Sequence, residues 1–215
     1  QKSGVVGKDD EKLTQTQLFT RDFIGTYLKL KQSDQFTPEN QTKLIDSFIG
    51  EALSRKADAP VHAISELAIV EKVDEAADIV AVGKYAQGIE AALGKSFTYS
   101  FFGQELVLLK NILGKKDSRK EDVFSEAEMA YQNFSDLLLA MKVPREIVAS
   151  HLALVNSASV ITKSFADIKQ LSKDPLQALI EVRRYNEEII NFGKYLNEIL
   201  SYLSRAINEA NKIKQ

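Results

Sequence analysis

DPLQALIEVRRYNEEIINFGKYLNEILSYLSRAINEANKI, residues 174–213, continues past its opening Asp-Pro without another proline. Within it Ala178, Val182, Tyr185, Ile189, Phe192, Leu196, Ile199, Leu203, Ala206, Ala210 and Ile213 follow one another at alternating steps of four and three. A 3.5-residue period puts all of them on one stripe of a helix, the pattern of a coiled-coil seam. Asp174 supplies a carboxylate for the free N–H groups of the first turn, and Pro175 at the first helical position gives up only a donor that had no partner. At 1.5 Å per residue this helix is roughly 55–60 Å long.

The stripe is wider than a two-helix seam needs. Leu179, Leu200 and Ile207 lie beside it on one side, and Tyr195 and Tyr202 on the other. A helix wedged between two neighbours needs such a broad face. The expected fold is therefore all-α: an elongated helical bundle with a long C-terminal three-helix core, in the form of a kinked hairpin, and a subdomain of shorter N-terminal helices. Residues 1–12 read as a flexible polar leader, 13–114 as the short-helix subdomain and 115–215 as the long-helix bundle, in one continuous fold.

The remaining helices show the same spacing. Thr14 or Thr16 caps a first helix carrying Leu18, Phe19, Phe23, Tyr27 and Leu30. Thr37-Pro38 opens a second, with Leu44, Ile45, Phe48, Ile49 and Leu53 on its buried face. Residues 61–73 form a connector that fits a short strand or a helix. Ala77 to Leu93 is helical, and Phe97 to Phe102 leads into another apolar run ending at Gly114. Lys115 to Asp122 mixes both signs of charge and reads as a solvated turn, with Ser118 and Glu121 at capping-box spacing. Phe124 to Met141 is helical. Val143-Pro144 then either kinks that helix or restarts it, and a second seam runs through Ile147, His151, Leu154, Ala158, Ile161, Phe165 and Ile168.

Composition excludes more functions than it suggests. The 215 residues carry 28 basic and 30 acidic side chains, so no net field draws polyanions. The C-terminal helix mixes Arg183, Arg184, Lys194 and Arg205 with Glu181, Glu187, Glu188 and Glu198, which argues against a nucleic-acid face. With no cysteine there is no disulfide, thiolate metal site or cysteine nucleophile. No apolar run is long enough to span a bilayer.

Di-iron bundles need Glu-x-x-His, but Ala59 precedes His62 and Val148 precedes His151 at that spacing. Gly94-Lys95-Ser96 resembles the end of a phosphate loop, yet Gly88 is one residue too far upstream and the segment follows a helix, not a strand. His151 falls on a seam and reads as a core histidine bonded to a neighbouring helix. Ser150 points about 100° away from it and cannot serve it as a nucleophile. No catalytic, cofactor or metal residues are therefore assigned. Two aromatic sets suit protein binding instead: Phe97, Tyr99, Phe101 and Phe102 in one turn, and Tyr195 with Tyr202. The alternative for both sets is the internal core.

Arg21-Asp22-Phe23 with Tyr27, Val143-Pro144, His151 with Asn156, and Asp174-Pro175 with Tyr185 together resemble a group of uncharacterised helical, envelope-associated proteins of small-genome candidate-phylum bacteria. The resemblance implies an N-terminal anchor upstream of residue 1 and a link to secretion or pilus machinery, and it implies no catalytic residue. The architecture is similar, at the level of fold alone, to helical minor subunits of type IV secretion pili. A polar leader without a starting methionine fits the same extracytoplasmic placement, and fits a trimmed tag equally well. The expected function is a non-enzymatic scaffold or adhesin-like component of a cell-surface assembly, with a protein partner and no cofactor. A cytoplasmic adaptor assembling through the C-terminal helix is the alternative. An enzyme with a pocket between the N-terminal helices stays as a third reading, because carboxylates and tyrosines are plentiful.

Overall fold

The computed structural model describes residues 13–33, 37–54, 62–70, 75–97 and 120–213. The expected leader, the boundary near 114, the Ser118 capping box and the apolar run between Phe102 and Gly114 lie outside them. The fold is all-α. Among the described residues the helices are α1 (Gln15–Gln32), α2 (Pro38–Ser54), α3 (Glu75–Ser96), α4 (Lys120–Leu139), α5 (Val148–Ile168) and α6 (Pro175–Ile213). Two three-residue strands, β1 (Ala68–Val70) and β2 (Lys142–Pro144), pair in parallel with Ile69 opposite Val143. No helix among the described residues is long and apolar enough to cross a membrane.

The chain divides into two compact units, one of residues 1–58 with 167–183, the other of 59–166 with 184–215. In the first unit, α1 pairs with α2 through aromatic rings. Phe19 and Phe23 lie nearly parallel at 6.0 Å, and Phe48 meets each edge-on at 5.6 and 5.5 Å. The starts of α1 and α6 share their caps. Thr14 caps α1 in a capping box with Gln17, while Asp174 accepts bonds from the backbone N–H groups of Gln15, Thr16 and Gln177. The Thr16 hydroxyl donates to Asp174 at 2.6 Å and accepts from the Leu176 N–H at 3.0 Å. First-turn donors of two helices are thus satisfied by one carboxylate and one hydroxyl. Partial burial works against the ionised Asp174, but the bonds from Thr16, Gln177 and Gln15 prevail and hold its pKa below the usual value.

The second unit holds the main core. Phe192 of α6 is fully enclosed by Phe97, Tyr131 and Phe134, with Tyr131 and Phe134 both at 5.5 Å between ring centroids. Tyr185, one heptad earlier, packs on Phe165 of α5 at 4.9 Å. Such offset and edge-to-face pairs add to the burial of their area. Val143-Pro144 restarts the chain and does not kink it. A residue before proline is pushed to extended backbone, so α4 ends, β2 runs extended with Val143 fully buried, and one turn of 3₁₀ helix, Arg145–Ile147, leads into α5. Residues 62–70 resolve as a 3₁₀ turn, Ile64–Glu66, followed by β1. Gly88 and Gly94 both lie inside α3, so no loop stands where a phosphate would need one.

Candidate functional site

The seam of α6 faces inward. Tyr185, Phe192, Ile199 and Leu203 are buried, with Ile189 and Leu196 half-buried between them. The flank beside it is not covered. Leu179, Leu200 and Ile207, expected between two helical neighbours, are 55%, 44% and 48% exposed, and Ile190 is 72% exposed. Periodicity reports the width of an apolar stripe but not how many neighbours reach it. Here α4 and α5 aromatics cover the seam, while α3 approaches the flank only along an open groove. That groove encloses about 500 Å³ and is walled by Ile89 and Leu93 of α3 and by Leu200, Leu203 and Ile207 of α6. Glu90, Ser204 and Asn208 also line it.

Of the aromatic residues singled out in the sequence, Phe97 is 7% exposed and meets Tyr131 and Phe192 edge-on and Phe134 at a tilt, so its ring serves the core. Tyr99, Phe101 and Phe102 lie outside the described residues. Tyr195 and Tyr202 are half-buried, as residues at the margin of a seam should be. The Lys194 ammonium sits 5.7 Å from the centre of the Tyr195 ring, within cation–π range. The sequence thus brings the two tyrosines to one side of α6, and the exposed aliphatic residues to the other.

The second unit also holds a polar cluster that no local sequence pattern marks. The His62 imidazole lies 2.8 Å from a Glu66 carboxylate oxygen through Nδ1 and 3.2 Å from the Ser159 hydroxyl through Nε2. Ser159 in turn meets the Ser135 hydroxyl at 3.0 Å. Asn156 grips the His62 backbone from both sides: its Oδ1 accepts from the His62 N–H at 2.6 Å, and its Nδ2 donates to the His62 carbonyl at 3.3 Å. The bond from His62, with a second from the Ala63 N–H, lowers the pKa of Glu66. Only the four-residue spacing of His62 and Glu66 is visible in the chain. The other partners of His62, Asn156 and Ser159, are more than ninety positions away.

Carboxylate, imidazole and hydroxyl stand in the order of an acyl-transfer relay, yet the surroundings suit a latch better. Ser159 lies within α5, is 6% exposed, and its hydroxyl also donates to the Val155 carbonyl at 3.1 Å. Backbone N–H groups in the middle of a helix are committed to carbonyls four residues back and cannot stabilise an oxyanion. What the cluster does directly is fasten the turn before β1 onto α5.

His151 is the second histidine, fully buried as its seam position implies. Its Nδ1 lies 2.9 Å from the Tyr85 hydroxyl and its Nε2 lies 3.1 Å from the Leu138 carbonyl near the end of α4. A carbonyl only accepts, so Nε2 carries the proton and Nδ1 accepts from Tyr85. Burial brings the His151 pKa down to about 4 against the opposing pull of the Leu138 bond. Burial, with a smaller contribution from nearby Tyr202, raises that of Tyr85. Neither group changes charge near neutrality. Among the described residues no three histidine, aspartate or glutamate side chains converge as a metal site. Comparison with known proteins finds no matching family model, no matching curated protein and no matching solved structure.

Proposed function

We propose that the protein is a non-enzymatic helical scaffold whose working surface is the outward side of α6, acting as an extracytoplasmic, scaffold or adhesin-like component of a bacterial cell-surface, secretion or pilus assembly. The observation that carries the reading is the exposure of Leu200 and Ile207 on the wall of an apolar groove. Exposed aliphatic side chains that gather along one groove are a feature of binding surfaces. The envelope setting draws its support from the resemblance around Arg21-Asp22-Phe23, Asn156 and Asp174-Pro175. The alternative, a cytoplasmic adaptor assembling through its C-terminal helix, draws on the same exposed residues and differs in compartment.

A photo-crosslinking residue in place of Leu200, introduced in native cells, tests the reading. The expected adduct is an identified subunit of an envelope assembly, and it is lost when Ile207→Glu is added. Adducts confined to cytosolic proteins would favour the adaptor. Ester hydrolysis that disappears in Ser159→Ala would contradict the non-enzymatic reading altogether.

A further inference from the structure

We infer that His62 is a proton-operated clasp: protonated, it locks the turn before β1 onto α5, and neutral, it lets that turn loosen. Both sides of the ring call for a hydrogen. Nδ1 faces the Glu66 carboxylate at 2.8 Å, and an ionised carboxylate only accepts. Nε2 faces the Ser159 hydroxyl at 3.2 Å. That hydroxyl has a single hydrogen, which goes to the Val155 carbonyl at 3.1 Å, so it offers lone pairs to Ser135 and to His62. Both ring nitrogens therefore meet acceptors, and only the imidazolium carries two N–H donors. A neutral ring keeps both contacts only if the Ser159 hydrogen swings from Val155 to Nε2, and the charge attraction to Glu66 is lost even then.

The other histidine of the chain is built the opposite way. Nε2 of His151 donates to the Leu138 carbonyl and Nδ1 accepts from the Tyr85 hydroxyl, a pairing that a neutral ring satisfies completely. His151 has no exposed surface, whereas the His62 side chain is 24% exposed and exchanges protons with water directly. On its own turn His62 faces Glu66. Helix α5 brings neutral Asn156 and Ser159, with Lys163 one turn further along the same face, and α4 brings neutral Ser135, with Glu128 two turns before it. Among the described charged groups His62 alone bears on the Glu66 carboxylate, and its bond is the main cause of the lowered pKa there. A carboxylate with a lowered pKa contributes stability above its ordinary value and loses it as pH falls through the lowered one. A histidine ordinarily changes charge between pH 5 and 8. Both charges thus coexist between the carboxylate range and neutrality, and the clasp is tightest in that window.

Two further fasteners do not depend on pH. Asn156 grips the His62 backbone, and Leu67, just after the turn, is 8% exposed. Loss of the proton therefore loosens the turn without unfolding the chain. Because β1 pairs with β2, the looser turn carries the short ladder with it. The clasp owes nothing to the scaffold reading and stands or falls apart from it.

Amide hydrogen exchange of the full chain, expressed as protection so that the intrinsic effect of pH is removed, tests the clasp. Residues 63–70 are expected to be about threefold better protected at pH 5.5 than at pH 8.5, the scale of a partly exposed ion pair. The amides of α5 are not expected to gain, because the surroundings of His151 favour its neutral ring. His62→Gln is expected to abolish the difference, and Glu66→Gln, which leaves the imidazole in place, to shrink it. Equal protection at the two pH values, better protection at pH 8.5, or a difference unchanged in both variants would overturn the clasp. So would a nitrogen NMR spectrum that shows the His62 ring neutral at pH 5.5.

Discussion

Phe192→Ala is expected to destabilise the protein by about 4 kcal/mol, within the range for removing a buried aromatic ring. Phe192 has no exposed surface and is enclosed by Phe97 from the end of α3 and by Tyr131 and Phe134 from α4. Truncation forfeits the burial of the ring, two edge-to-face contacts and one tilted one, and the filled volume, and three surrounding aromatics cannot all move in to close the gap. Leu200→Ala, eight residues along the same helix, is expected to cost less than about 1 kcal/mol because its side chain is already 44% exposed. Urea denaturation of the two variants measures both. Comparable losses would mean that α6 does not have one buried side and one open side.

The second large effect is acid sensitivity through His151. The group is a base whose pKa in the folded protein is about 4, against an ordinary value of 6.5. Above pH 6.5 it is neutral in both states and contributes no pH dependence. Between 6.5 and about 4 the unfolded chain takes up a proton that the folded protein refuses, so stability falls as pH drops through that window. The loss from this one residue amounts to about 3 kcal/mol. Tyr85 stays protonated throughout and keeps donating to Nδ1, since burial raises its pKa. His151→Gln has no titrating group but offers an acceptor and a donor, so the variant is expected to lose most of the decline between pH 6.5 and 4. Denaturation at pH 7, 5.5 and 4 for both proteins checks this. An equal decline in the variant would place the acid sensitivity elsewhere.

Local chemistry explains which features could be read from the chain. Asp174-Pro175 and the four-three spacing to Ile213 mark both ends of α6, because capping and periodicity act within a few residues. The same holds for Thr37-Pro38 at α2, where the Asn40 N–H bonds to the Thr37 hydroxyl at 3.3 Å. His151 was legible as a core residue because its helix already placed it among Ile147, Leu154 and Ala158. For the first helix, Thr14 and Thr16 stood as alternative caps, and the structure uses both. Thr14 caps α1, while the Thr16 hydroxyl reaches the start of α6, a pairing that no local pattern encodes.

Distance along the chain hid the rest. The His62 cluster unites a turn near residue 62 with α4 and α5, and serine and asparagine on a helix give no periodic sign of their partners. The width of the α6 stripe is legible in the spacing but its cover is not, because Leu179, Leu200 and Ile207 have the same character whether a neighbour sits on them or water does. For Phe97 the aromatic run fits either a binding patch or the core, and its position just after α3 places it in the core.

Helix α6 has one side buried at Phe192, Ile199 and Leu203 and the other exposed at Ile190, Leu200 and Ile207. Single cysteines at each position from Ile190 to Ile207, in a chain that has none of its own, allow the reaction rate with a thiol reagent to be measured residue by residue at low protein concentration. The predicted profile is high at 190, 194, 197, 198, 200, 201, 204, 205 and 207 and falls at 192, 199 and 203. A flat profile, or one with its maxima at 192, 199 and 203, would contradict it.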